Sequence, residues 1–406
     1  MMDIKKYNVL HITLGHSAFD CRIFYKELRS LSQKYNCYEL CGVADGKTLT
    51  TMHDKLKIEQ GIHDNICCLA YKSEKTSFIL SFLKRHRPTL YKRLYNRYLT
   101  GQVLKVLNKN NIHPDIIHFH DLRFMYVAIA LKEKLGCKLI FDSHEFYFAY
   151  SFNVGFTEKS CFNAGYILSD WSKAIKASDY VIGCTKTMDN LISIIRQDDN
   201  HGIVYNSSMF EPETRARVID KEKKIVLLHE GGLEFNRGLK LMVEIFHDKY
   251  IREHFQLRIV GTINGEEKKY FEQKCQEYNI TEENIYFTGW VDYLDVPKAL
   301  DGDIGILFFE KQFNNYYGMP NKLYNYFAMG IPVISTHCAD SSDLLQQKQI
   351  GVVVEREVES VKTGLIKLVD NYNYYQRNVL KSQDEYLWSN DEKTLFAIYE
   401  QVLKTK

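Results

Sequence analysis

The chain predicts an α/β protein built on two doubly wound parallel sheets, and three observations carry that expectation. Short apolar, β-branched runs alternate with longer helical patterns, as βαβ units require. The alternation breaks near the middle and then restarts. A length of 406 residues is enough for two domains of ordinary size, each with its own core.

In the first half the predicted strands are Asn8 to Leu14, Tyr38 to Ala44, Asn65 to Ala70, Asp115 to Phe119, Lys138 to Phe141 and Asp179 to Cys184. In the second they are Lys224 to Leu228, Gln256 to Val260, Asn284 to Phe287, Asp303 to Phe308, Ile331 to Ile334 and Gly351 to Val354. The polar stretch from Asn206 to Lys221 interrupts the apolar periodicity and contains one of only six prolines, so it is read as the join. The expected division is an N-terminal domain over 1–210, a second over 211–385 and a terminal segment over 386–406. In that last segment Trp388, Leu395, Ile398, Tyr399 and Leu403 recur at helical spacing.

Composition narrows the function classes. Hydrophobic content of 45% with 26% charged residues is that of a soluble globular chain, and no run approaches the ~20 apolar residues that span a bilayer. The opening MMDIKKYNVLHITLG enters a strand directly and has no secretory pattern, so a cytoplasmic location is expected. The ten cysteines contain no C-x-x-C pair and read as reduced core residues. From Lys75 to Asn111 there is no Asp or Glu, while Lys84, Arg85, Arg87, Lys92, Arg93 and Arg97 alternate with Phe82, Tyr91, Leu94, Tyr95 and Tyr98. That mixture suits an anionic membrane surface, with a solvated basic helix as the other reading. No nucleic-acid-binding motif accompanies it, and no nucleic acid is expected as a partner.

In doubly wound sheets ligands bind beyond the carboxyl ends of the strands, so the loops that follow the strands are the ones to search. The first runs from Gly15 and His16 to Asp20, Arg22 and Glu27; Gly15 allows close approach and Asp20 suits a helix N-cap. Two further strand ends read His118-Phe119-His120-Asp121 and Asp142-Ser143-His144-Glu145. Their histidines and carboxylates raise a metal site, but the spacing leaves the full ligand set unspecified, and none is expected. Read by themselves, His144 and Glu145 belong to a hydrogen-bonded strand-end network or face a polar ligand.

In the second half, Gly231-Gly232 leads to Arg237-Gly238 at a helix entrance, an anion site in outline. Gly261 and Gly289-Trp290-Val291 end the next two strands, and Trp290 offers a planar ligand a stacking face or fills the wall. The densest segment is Tyr317 to Thr336. Pro320 begins a helix, Gly330 ends it, and Lys322 lies in the first turn, where free N–H groups and the dipole favour an anion. Read by itself, this is either a phosphate seat or a capped amphipathic helix with a solvated lysine.

The run from Pro320 to Ile334 resembles the donor-site signature of family 4 glycosyltransferases of the GT-B fold. The first loop (Gly15 to Leu28), the Asp142 to Glu145 element and the Arg237-Gly238 element resemble that family's in the same order. The resemblance implies two Rossmann-like domains facing each other across a cleft, with the terminal helix crossing back to the first. It further implies a retaining, metal-independent transferase that moves a sugar from a nucleotide-diphosphate sugar to a glycan or lipid-linked hydroxyl, in surface polysaccharide assembly at the membrane's inner face. In that reading His144, Glu145, Arg237 and Lys322 are catalytic. Gly15, His16, Gly232, Gly261, Trp290, Val291, Tyr317, Leu323 and Asn325 join Arg237 and Lys322 around the donor. No cofactor is implied. The family carries a glutamate pair where this chain has Tyr317 and Asn325, so Asn325 is expected to contact the ribose as a neutral partner and Tyr317 to alter sugar preference. A non-catalytic partner in a glycan-assembly complex and a nucleotide-sugar epimerase are the other readings.

Overall fold

The computed structural model describes residues 6–51, 56–74, 78–153 and 155–404. They form two compact units, one comprising the chain up to Val204 together with the segment from Glu392, the other Tyr205–Asp391. The polar stretch 206–221 lies inside the second unit, and the chain rejoins the first within the helix Trp388–Lys404.

The first unit contains β1 (Asn8–Thr13), β2 (Asn36–Val43), β3 (Leu49–Thr50), β4 (Lys57–Ile58), β5 (Gly61–His63), β6 (Ile66–Lys72), β7 (Ile116–Phe119), β8 (Lys138–Ser143), β9 (Tyr180–Gly183) and β10 (His201–Ile203). Eight of these make one sheet in the order β10-β9-β8-β7-β1-β2-β6-β5, parallel except for the β5–β6 edge; β3 and β4 pair separately. β7 is buried along its length, as a strand covered by helices on both faces must be.

The second unit contains β11 (Ile225–Glu230), β12 (Phe255–Val260), β13 (Ile285–Phe287), β14 (Ile304–Leu307), β15 (Val333–Thr336) and β16 (Gly351–Val354). They form a wholly parallel sheet in the order β13-β12-β11-β14-β15-β16. Within each sheet the strand order reverses beside the first strand, between β1 and β7 and between β11 and β14. These are the topological switch points at which such folds hold ligands.

The last strand of the donor-like segment starts two residues later than the Ile331 to Ile334 expected. Pro332 has no N–H to give the ladder and contributes only its carbonyl, which accepts from Gly305 N at 2.9 Å. The helix before it, Asn321–Ala328, begins directly after Pro320, and Gly330 takes φ +67° beyond its end. Among the described residues no helix is long and apolar enough to cross a membrane.

The basic stretch forms the helices Phe78–His86 and Pro88–Lys109, with Lys75 outside the described residues. Arg85, Arg87, Arg93 and Arg97 are exposed, as are Phe82, Leu90 and Leu94. Several of the other interleaved residues are engaged by the protein itself. Tyr95 and Tyr98 donate to the carbonyls of Ser73 and Glu74, Leu99 is buried, and Lys92 pairs with Asp170 at 2.7 Å.

Candidate functional site

In the second unit the loop after β11 is built around close backbone approach. A Cβ on Gly261 would lie 2.4 Å from the Gly231 carbonyl, and one on Gly238 only 1.9 Å from that of Phe308. Glycine at both positions lets the ends of β11, β12 and β14 crowd together. Over Gly231 two cations converge: a Cβ built there would meet Arg237 Nη1 at 3.4 Å and Lys322 Nζ at 4.0 Å. Arg237 is half-exposed and lies 3.5 Å from Glu234, whereas Lys322 is buried, with Nζ 3.4 Å from His229 Nε2. Burial and the neighbouring Arg237 push the Lys322 amine down to about 7, with Glu230 and Glu234 opposing them. Two cations held together, one of them half-deprotonated, make a site short of negative charge.

The helix that carries Lys322 is bolted to the end of β11. Tyr326 donates to the Leu228 carbonyl and accepts from Glu230 N, both at 3.0 Å. Asn325 donates through Nδ2 to Glu230 Oε1 at 2.8 Å and accepts from Ser208 Oγ at 3.0 Å. With 2% of its surface exposed, Asn325 is therefore an internal clamp, and the direct ribose contact expected of it gives way to a bond with Glu230. Leu323 is corrected as well. Its side chain is fully buried and its N–H donates to the Pro320 carbonyl, so neither end is left for a ligand. Tyr317 packs edge-on against Tyr316, Gly232 is half-buried beside Glu234, Trp290 is 40% exposed and Val291 packs on the core.

In the first unit the other switch point gathers a buried polar cluster. His11 and His118 face each other in register on β1 and β7. A single π-helical turn, Ile23–Leu28, brings Arg22 and Glu27 beneath them, and Asp20 Oδ1 caps it by accepting from Arg22 N and Ile23 N. Arg22 Nε lies 2.9 Å from both Asp142 Oδ2 and Glu27 Oε1. Burial raises both carboxyls; Arg22 and His144 nonetheless hold Asp142 well below the carboxylate range, and the charge on Asp142 helps keep Glu27 well above it.

The histidines continue the network. His11 Nδ1 lies 3.1 Å from His120 Nε2, His120 Nδ1 lies 3.2 Å from His144 Nε2, and the Tyr399 hydroxyl reaches both His11 Nε2 (2.9 Å) and His118 Nδ1 (2.8 Å). His144 Nε2 is also 2.9 Å from Asp142 Oδ2; donation there leaves Nδ1 as the ring's acceptor. Among the described residues, His11, Glu27, His118 and His120, and also His120, Asp142 and His144, are close enough to share a cation. In the structure Arg22 supplies the positive charge between the carboxylates, and most of the ring nitrogens engage one another or Tyr399.

At the rim of the cluster, Gly15 N donates to Asp121 Oδ2 at 2.9 Å, and any side chain at Gly15 would strike that carboxylate at 2.7 Å. Burial lowers the pKa of the His16 imidazole, but the hydrogen bond to Asp20, reinforced by Asp121 and Glu145, carries it up to about 9. Glu145 accepts from the Tyr150 hydroxyl. Sequence reasoning passed over His229, Glu230, Ser208, His11, Tyr399 and the pairing of Arg22 with Asp142. Of these, only Glu230, a carboxylate immediately before a Gly-Gly strand end, left a local signal.

Comparison with known proteins agrees with this geometry. Residues 224–371 match the family model described as Glycosyl transferases group 1. A chitobiosyldiphosphodolichol beta-mannosyltransferase from Yarrowia lipolytica is 30% identical over 108 residues, 26% of this chain and 23% of that protein. The chain thus spans about a quarter of that curated relative. Among solved structures, the sucrose-phosphate synthase of Thermosynechococcus elongatus superposes with a TM-score of 0.71 at 16% identity, covering 99% of this chain and 100% of that one. Anabaena Alr3699/HepE in complex with UDP superposes with a TM-score of 0.68 at 11% identity, covering 97% and 100%. The chain is therefore a two-unit protein of the GT-B fold, and residues 224–371 of its second unit are similar to the group 1 glycosyl transferases.

Proposed function

We propose that the protein transfers a sugar, with retention and without a metal at the diphosphate, from a nucleoside-diphosphate sugar to a hydroxyl of a glycan or lipid-linked acceptor. The observation that carries this reading is the convergence of Arg237 and Lys322 over Gly231 at the switch point of the second sheet. As the glycosidic bond breaks, charge develops on the departing diphosphate, and two prepositioned cations meet it there. Lys322, whose pKa burial and Arg237 bring down to about 7, takes up a proton as the anion arrives. Same-face attack assigns the acceptor's proton to the leaving phosphate, so no carboxylate pair is needed. His144 and Glu145 stand at the first unit's strand ends, where an imidazole acceptor and a carboxylate suit sugar hydroxyls. The complex of Alr3699/HepE with UDP and glucose supports the substrate class.

The test is a thermal-shift panel of UDP, GDP, ADP and CDP sugars, followed by nucleotide release with and without acceptor extract. At least one donor stabilises the protein in proportion to its affinity. If no donor does, the reading fails.

Surface-polysaccharide assembly at the cytoplasmic face of a membrane belongs to the same proposal. Its support is the exposed set Arg85, Arg87, Arg93, Phe82, Leu90 and Leu94. Reversing the three arginines to glutamate abolishes sedimentation with phosphatidylserine vesicles, each cation being worth ~1 kcal/mol. Unchanged sedimentation counts against docking.

A further inference from the structure

We infer that Glu230 is the carboxylate that holds the ribose of the nucleoside diphosphate, and that Asn325 positions it for that task. The inference rests on the nucleotide-sugar reading above and names a residue that reading leaves out. Glu230 is the last residue of β11, next to the glycine over which Arg237 and Lys322 converge. Its backbone is fixed through Tyr326 and one side-chain oxygen through Asn325 Nδ2 at 2.8 Å, while Ser208 holds the far end of the Asn325 amide. One hydrogen bond thus holds the carboxylate itself, a second fixes its backbone and a third fixes the amide that grips it.

The charge of the group decides what it can bind. A carboxylate beside two phosphate-binding cations repels phosphate oxygens, so it must accept from O–H or N–H groups. A nucleoside diphosphate offers such donors in its ribose hydroxyls, and acids at strand ends take up ribose hydroxyls in doubly wound sheets generally. The transferred sugar is the other source of hydroxyls. Asn325 lies one helical turn beyond Lys322, deeper under the helix, and Glu230 is bonded there. A sugar awaiting an acceptor has to lie on the open side of the cations. The ribose does not.

The arrangement also accounts for a neutral residue at 325. Two carboxyls at the 2.8 Å Asn325–Glu230 contact could not both ionise, so an acid at 325 would leave one of the pair protonated, which the neutral amide avoids.

Isothermal titration with UDP and 2′,3′-dideoxy-UDP tests the assignment, using whichever nucleobase the donor panel selects if that is not uracil. The wild type binds the dideoxy compound roughly 10- to 100-fold more weakly, as expected for hydrogen bonds to a charged acceptor. Glu230→Gln weakens the parent nucleotide by a similar factor and largely removes the discrimination. Asn325→Glu binds worse than wild type, and the double variant Glu230→Gln with Asn325→Glu, which exchanges amide and acid, regains affinity over Asn325→Glu alone. Equal binding of both nucleotides by the wild type overturns the inference whether or not any variant folds. So does an unchanged nucleotide affinity in Glu230→Gln accompanied by weaker UDP-sugar binding, which would assign the carboxylate to the sugar. A double variant no tighter than Asn325→Glu also counts against it. If the wild type binds no nucleoside diphosphate at all, the parent reading falls and takes this one with it.

Discussion

The two switch points share a topology and differ in almost everything else. Beside β1 the cluster is closed: Arg22, Glu27, His11, His118, His120 and Asp142 are all buried, and the guanidinium sits between two carboxylates. Beside β11 two cations lean toward one glycine, and Arg237 is half-exposed with only a 3.5 Å contact to Glu234. The first arrangement is balanced internally and the second waits for an anion. One backbone plan can therefore serve rigidity or binding, depending on whether the charges at the strand ends already have partners.

The strongest way to break this contrast is Asp142→Ala. Leaving Arg22 buried without its bidentate partner costs about 3–5 kcal/mol, read by urea denaturation, while UDP affinity at folded concentrations stays within about twofold. A variant of normal stability that has lost nucleotide binding would show that the first cluster is not the structural one.

Next is Lys322→Met, which lowers nucleotide release by roughly 10²- to 10³-fold. It leaves stability intact or raised, because an amine that folding desolvates is replaced by a side chain of similar volume. A large loss of stability would make Lys322 a structural residue.

The smallest effect is a slope with pH. In the folded protein Lys322 titrates near 7, against 10.5 for an ordinary lysine. Between those values the unfolded chain holds a proton that the folded one lacks, so this group's contribution makes stability rise with pH above about 7. Nucleotide affinity moves the opposite way, since the anion needs the protonated amine. Affinity falls by up to tenfold per unit above pH 7, and titration in buffers of different ionisation enthalpy registers proton uptake. A flat profile from pH 7 to 9 removes Lys322 from the phosphate site.

Much of the scaffold was legible in the sequence because apolar β-branched runs such as Ile116-Ile117 and Leu227-Leu228 have few other uses than buried strands. Short edge strands carry no such run, and β5 and β10, with three residues each, went unread. The two cations were legible because each sits at a βα turn whose local pattern announces an anion site. Glu230 left a local signal as an acid just before Gly-Gly, but nothing near it says that an asparagine 95 residues later will grip it. Leu323 illustrates the reverse error: it belongs to a telling motif, but the helix points it into the core.

The Tyr399 hydroxyl, which bridges His11 and His118, joins residues 388 positions apart. The ribosome makes the rest of the first unit early and then spends roughly ten to forty seconds on the second before Tyr399 emerges. Throughout that interval the nascent first unit has a vacancy at its polar centre and an uncovered groove where Leu395, Ile398 and Val402 will lie. Synthesis that stalls within the second unit would thus strand an incomplete first one, a substrate for chaperones or proteases.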